Sequence, residues 1–126
     1  MKLGYTILYV PDVRASLRFY EQAFGLATKF LHEGGDFGEL DTGGTSLAFC
    51  SLTLLQQMGK TPGRADVTRP VSEVALVTAD VPAAFARAVT AGATPLQAPE
   101  DMPWGQTVAY VADPDGFWVE LCTPVG

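Results

Sequence analysis

The chain has 126 residues, of which 48% are hydrophobic, 10% aromatic and 17% charged, a balance that supplies one buried core and leaves little material for disordered segments. Fourteen acidic against eight basic residues give a net charge of −6, which repels a nucleic-acid backbone or an anionic membrane surface and excludes both as expected partners. No run approaches the roughly 18 apolar residues of a membrane span, and Pro11, Asp12 and Arg14 break the apolar start before a signal sequence develops, so the expected location is cytoplasmic.

The first element in chain order is a strand over 5–10 that runs into Pro11-Asp12-Val13. Behind Asp12, Val13, Leu17, Tyr20 and Phe24 recur at helical spacing. The Asp12 carboxylate suits the free amides and positive end of that helix, and Gly25 suits its close. Short strand patterns follow over 27–31, 38–41 and 46–51, with His32 in the first hairpin as a surface or pocket-rim residue. Residues 52–71, with Gly59, Pro62, Gly63 and Pro70, read as a connector in which 52–58 form a short helix. A second strand over 73–77 runs into Asp80-Val81, ahead of a helical pattern at Val81, Phe85, Ala88 and Val89 that Gly92 closes. Strands over 94–97, 107–112 and 118–122 complete the chain, the last two joined by Asp113-Pro114-Asp115-Gly116, a turn in which Pro fixes φ and Gly tolerates the left-handed position.

These elements repeat. Residues 5–13 overlay residues 73–81 at an offset of 68, and the hairpin ending in 46–50 overlays the one ending in 118–122 at an offset of 72. Both copies read β-α-β-β-β. The expected fold is therefore α+β, a single domain over 1–126 made of module one (1–51), the connector (52–71) and module two (72–126). The two modules are expected to form a curved mixed sheet around a cleft, with the helices outside.

The repeat also points to chemistry. Tyr5 corresponds to Glu73 and Ala48 to Glu120. Both glutamates stand in otherwise apolar strands, where a carboxylate is costly to bury without a partner. Two carboxylates brought together must share a proton, hold a cation or face a basic group. The plainer reading places one or both on a solvated face. Cys50 and Cys122 are repeat-equivalent too, and their reading as buried, reduced thiols stands ahead of soft ligands or a disulfide.

The duplicated unit, the Val10-Pro11-Asp12-Val13 and Phe19-Tyr20 start, and the Asp113-Pro114-Asp115-Gly116-Phe117-Trp118-Val119-Glu120-Leu121 ending together resemble the vicinal oxygen chelate superfamily. That group includes glyoxalase I, extradiol dioxygenases, fosfomycin-resistance enzymes and bleomycin-binding proteins. The resemblance implies His and Glu metal ligands at four positions, here Tyr5, Ala48, Glu73 and Glu120. Only Glu120 keeps the usual ligand type, and Ala48 cannot coordinate. A metal held by Glu73 and Glu120 alone would be a hard ion such as Mg2+ or Mn2+, and the expectation is no tightly bound cofactor. Met102-Pro103-Trp104-Gly105-Gln106 resembles the corresponding turn of bleomycin-binding members, which implies a ligand surface of Trp104 with Phe37, Trp118 and Tyr5; Trp104 packing its turn against the core is the structural alternative. Three functions follow: a metal-independent binding protein for a cationic or aromatic compound, a lactoylglutathione-lyase-like lyase or isomerase with Glu120 and Glu73 as catalytic residues around a weakly held metal, or an accessory protein-interaction domain that uses the cleft as an interface. A homodimer is expected, with modules paired within a chain or between chains. Residue patterns alone leave open whether the protein is an enzyme.

Overall fold

In the computed structural model, which describes residues 1–125, the repeat becomes two runs of β-α-β-β-β with a short helix between them. The first run is β1 (Tyr5–Val10), α1 (Val13–Phe24), β2 (Thr28–Leu31), β3 (Phe37–Leu40) and β4 (Ser46–Ser51). After α2 (Leu52–Gln57) come β5 (Glu73–Val77), α3 (Val81–Thr90), β6 (Thr94–Asp101), β7 (Thr107–Ala112) and β8 (Trp118–Cys122). The fold is α+β. The chain divides into two compact units, Met1–Arg64 and the remainder from Ala65 onward, each with its own four-stranded mixed sheet.

Within each unit the helix carries the chain from the first strand back to run parallel with the last. The strand orders are β1-β4-β3-β2 and β5-β8-β7-β6, so β4 and β8 occupy equivalent inner positions. Local chemistry sets the helix limits. Asp12 Oδ1 accepts from the Ala15 amide at 3.1 Å and Asp80 Oδ1 from the Ala83 amide at 3.0 Å, satisfying donors that the first turn leaves free. Gly25 ends α1 at φ +71°, whereas α3 ends through Ala91 in a right-handed conformation and takes its left-handed step one residue later, at Gly92.

Strand alternation separates a covered face from an uncovered one. In unit one, Leu8, Val10, Leu40, Leu47 and Phe49 are buried together with Val13, Leu17 and Tyr20 of α1. Tyr20 and Phe49 meet with ring centroids 5.0 Å apart. Such side chains each contribute about 1.5–3 kcal/mol on burial. α1 lies so close to β3 that a Cβ on Gly38 would stand 2.8 Å from Leu17 Cδ1 and 3.2 Å from Val13 Cγ1. In unit two, Val81 and Ala88 of α3 and Ala109, Val111, Val119 and Leu121 of the sheet are buried. On the opposite faces, Tyr5, Ile7 and Tyr9 of β1 and Glu73, Ala75 and Val77 of β5 are exposed.

Some element limits differ from the sequence-based expectation. β2 starts one residue later, at Thr28, β3 is Phe37–Leu40 rather than 38–41, and α2 stops at Gln57. The largest difference is β6, expected over 94–97 and observed to Asp101. It is an edge strand with register shifts between Pro95 and Gln97 and between Gln97 and Glu100, the setting in which a sheet tolerates proline. Cys50 and Cys122 are both buried and free, and no helix among the described residues is long and apolar enough to cross a membrane.

Candidate functional site

The site forms in unit two because three adjacent strands turn their chemistry-bearing residues to one face. In the parallel pair β5 and β8, Glu73 lies opposite Trp118 and Ala75 opposite Glu120. In the antiparallel pair β7 and β8, Tyr110 lies opposite Glu120. Residues in register share a face, so Glu73, Tyr110, Trp118 and Glu120 are neighbours above the sheet. The Tyr110 hydroxyl donates to Glu120 Oε1 at 2.8 Å. The Tyr110 and Trp118 rings meet at 5.5 Å between centroids, tilted by 59°.

The connector supplies a wall. Trp118 Nε1–H donates to the Val67 carbonyl at 2.8 Å, and Gly116, at φ +97°, faces the backbone of Val67 and Ala65 where a Cβ would be 3.4 Å from the Val67 nitrogen. Pro70, Ser72, Glu73, Tyr110 and Trp118 then line a cavity of about 240 Å³. A site this small, with two aromatic rings and few polar groups, has the composition of a small-ligand pocket.

The electrostatics are one-sided. Burial raises the Tyr110 phenol well above its ordinary range; the hydrogen bond to Glu120, the charges of Glu120 and Glu73, and last a weaker hydrogen-bonding interaction with Glu73 push it further. Tyr110 therefore keeps its proton through neutral pH and acts as a fixed donor. The same two carboxylates add to burial in pushing the Cys122 thiol up to about 11, which makes it a poor nucleophile and a poor metal ligand. Unit two carries eight acidic and two basic residues, against six of each in unit one, so the whole net charge lies in the unit that holds the cavity.

The remaining candidate residues fall elsewhere. Tyr5 is 56% exposed on β1, and Phe37 is half-buried on β3 opposite Cys50. Ala48, the counterpart of Glu120, is fully buried and has no donor atom. Trp104 sits at the tip of the β6–β7 hairpin, 66% exposed, with its indole N–H donating to Gln106 Oε1 at 2.7 Å while Gln106 Nε2 donates to the Thr123 carbonyl at 2.8 Å. It is thus held by its own hairpin and does not line the cavity. His32 lies in the β2–β3 turn, where its Nδ1 accepts from the Gly34 amide at 3.3 Å. Burial and then Asp36 raise the Cys50 thiol, with Lys60 acting the other way. Among the described residues no group of three or more His, Cys, Asp and Glu is placed to hold a metal ion.

Sequence reasoning passed over Tyr110, Pro70, Ser72 and Val67. Tyr110 had a usable signal: counting equal distances back and forward from Asp115 in the Asp-Pro-Asp-Gly turn pairs Tyr110 with Glu120, as the register shows. The connector residues carry no such signal, because their place is set by one indole hydrogen bond from a distant strand.

Two mixed β-α-β-β-β sheets, with a small acidic and aromatic cavity on one of them, define a class of scaffold that serves many small-molecule chemistries. The family model of the Glyoxalase/Bleomycin resistance protein/Dioxygenase superfamily matches residues 2–121, and the chain belongs to that superfamily. An uncharacterized protein of Mycobacterium bovis is 32% identical over 124 residues, covering 94% of this chain and 80% of its own length. The crystal structure of a glyoxalase-related enzyme from Fulvimarina pelagi is similar with a TM-score of 0.81 at 28% identity, over 98% of this chain and 88% of that one. A family enzyme from Burkholderia phytofirmans PsJN gives 0.72 at 25% identity, over 98% of both chains.

Proposed function

We propose that this chain is a small-molecule-binding protein of the glyoxalase/bleomycin resistance type, working without a metal and holding a ligand with a cationic group and a flat or apolar body. The observation that carries this reading is the cavity itself, where Glu73, Tyr110 and Trp118 converge and Glu120 stands behind Tyr110. Aromatic faces next to a carboxylate attract a cation on a flat skeleton. Further support for metal-independence comes from the donor set, in which Ala48 offers no atom and Glu120 already accepts a hydrogen bond from Tyr110. The reading takes the protein as a homodimer, supported by the exposed apolar side chains Tyr5, Ile7, Tyr9 and Phe30 on unit one.

The test uses Trp104→Phe protein, so that fluorescence reports Trp118 alone, titrated with a panel of aromatic amines in the presence of a chelator. Saturable change is expected, weakened about tenfold by Glu73→Gln, the loss of one charged hydrogen-bond partner. A response that requires added Mg2+ or Mn2+ would overturn the metal-free reading. One observation favours the alternative, a lyase or isomerase: two carboxylates, the groups suited to move a proton, stand beside a phenol whose fixed proton can steady negative charge on a substrate oxygen. Turnover of a glutathione hemithioacetal, lost on Glu120→Gln, would favour that alternative.

A further inference from the structure

Glu73 and Glu120 sit on adjacent strands and share a face, and because Ala75 is the residue opposite Glu120, Glu73 lies diagonal to it. Diagonal neighbours stand roughly 7–8 Å apart along a sheet, so both carboxylates face the same small region. Every charge that acts on Tyr110 and Cys122 between them is negative. A phenol has a single proton and donates to one carboxylate at a time. Tyr110 gives that proton to Glu120 Oε1 at 2.8 Å, and Glu73 stands as a weaker, second partner of the same phenol. Glu73 and Tyr110 line the cavity and Glu120 does not. The one N–H of Trp118 is likewise committed, to the Val67 carbonyl, so Trp118 offers a ligand its ring and no hydrogen bond.

We infer that Tyr110 is the specificity-determining residue of this site: by donating its only proton to Glu120 it leaves Glu73 as the carboxylate that receives the ligand, so that the cavity selects a ligand with one cationic group over a ligand with two. The inference rests on the reading of the cavity as a ligand site. Glu120 is then a positioning residue, acting through Tyr110. Three groups divide the work: Glu73 takes the ammonium, the Tyr110 and Trp118 rings take the body of the ligand, and Glu120 fixes the phenol between them.

The test compares three probes on Trp104→Phe protein: benzylammonium, the neutral benzyl alcohol, and the dication of 1,4-bis(aminomethyl)benzene. The unsubstituted site is expected to bind benzylammonium about tenfold more tightly than benzyl alcohol. It should bind the dication no better than the statistical advantage of two identical ends allows. Glu73→Gln should erase the preference for benzylammonium over the alcohol, and Glu120→Gln should keep that preference while weakening both probes. Tyr110→Phe uncovers Glu120 and should gain affinity for the dication, about tenfold over the monocation, a gain that loss of folding cannot produce. An unchanged ratio of dication to monocation in Tyr110→Phe, or charge preference lost in Glu120→Gln and kept in Glu73→Gln, overturns the inference while leaving a ligand site in place. Silence of Trp118 toward all three probes in every variant overturns the ligand-site reading and the inference with it.

Discussion

Ala48 and Glu120 occupy the same point of two equivalent sheets: Ala48 lies opposite Ile7 and Glu39, and Glu120 opposite Ala75 and Tyr110. Around that point the chemistry of the two units is interchanged. Unit one places its carboxylate, Glu39, on the third strand of the repeat and aromatics Tyr5 and Tyr9 on the first. Unit two places Glu73 on the first strand, Glu120 on the last and the phenol of Tyr110 where Glu39 stands. Unit one has as many basic as acidic residues, whereas unit two carries all six net negative charges. The backbone repeat depends on caps, turns and buried faces, which both copies keep; the uncovered faces are under no such constraint, and that of unit two gathers two carboxylates, a phenol and an indole around a cavity.

If burial keeps the two backbones alike, equivalent core positions should matter in both. Phe49→Ala should cost about 3–5 kcal/mol and its counterpart Leu121→Ala about 2–5 kcal/mol in urea denaturation. A cost under about 1 kcal/mol at either position would break the equivalence. A sharper contrast lies at Gly38 and its counterpart Ala109. Ala109 is fully buried and its sheet accommodates the methyl, whereas a methyl at 38 meets Leu17. Gly38→Ala is therefore expected to destabilise by about 1–2 kcal/mol through overpacking, and a stabilised variant would show that α1 withdraws freely from β3. The caps Asp12 and Asp80 should each lose about 1 kcal/mol on substitution by Ala, read as matched falls in Tm.

A last effect is read by pH and is heavier in unit two, where Cys122 and Tyr110 are both raised, than in unit one, where Cys50 is. Cys122 moves from 9.0 in an unstructured chain to about 11 in the fold, so the unfolded chain releases its proton first. Stability attached to this thiol is whole below pH 9 and is lost as pH rises towards 11. Tyr110, raised for the same reasons, adds a loss in the same direction. Thermal denaturation from neutral to alkaline pH should show a decline that Cys122→Ala makes shallower; a stability that rises with pH over that range would contradict the account.

The fold was legible because its determinants are local. Asp12 and Asp80 act within their own first turns, and the limits of β4, β7 and β8 follow from alternation bounded by turn residues. β6 ran past its expected end, and its edge position, a tertiary fact, is what admits Pro95 and Pro99 within a strand. Within the candidate site, Glu73, Glu120 and Trp118 stood out as carboxylates in apolar strands and an aromatic near a turn. Tyr110 did not, because tyrosine in a strand is ordinary until the register places it opposite Glu120. Trp104 stood out by resemblance, yet its indole is tied to Gln106 at a hairpin tip. The lining residues Pro70 and Ser72 escaped altogether, since no local pattern marks a connector that Trp118 ties down at the Val67 carbonyl.

The most direct test of the central claim is to follow backbone amides and tryptophan indoles by NMR while titrating uniformly labelled protein with benzylammonium. The account predicts the largest, saturable shifts at Ser72, residue 73, Tyr110 and the Trp118 indole, moved together to about tenfold higher ligand concentration by Glu73→Gln. Shifts confined to the Trp104 hairpin or to unit one, with Glu73, Tyr110 and Trp118 unmoved at saturation, would contradict it.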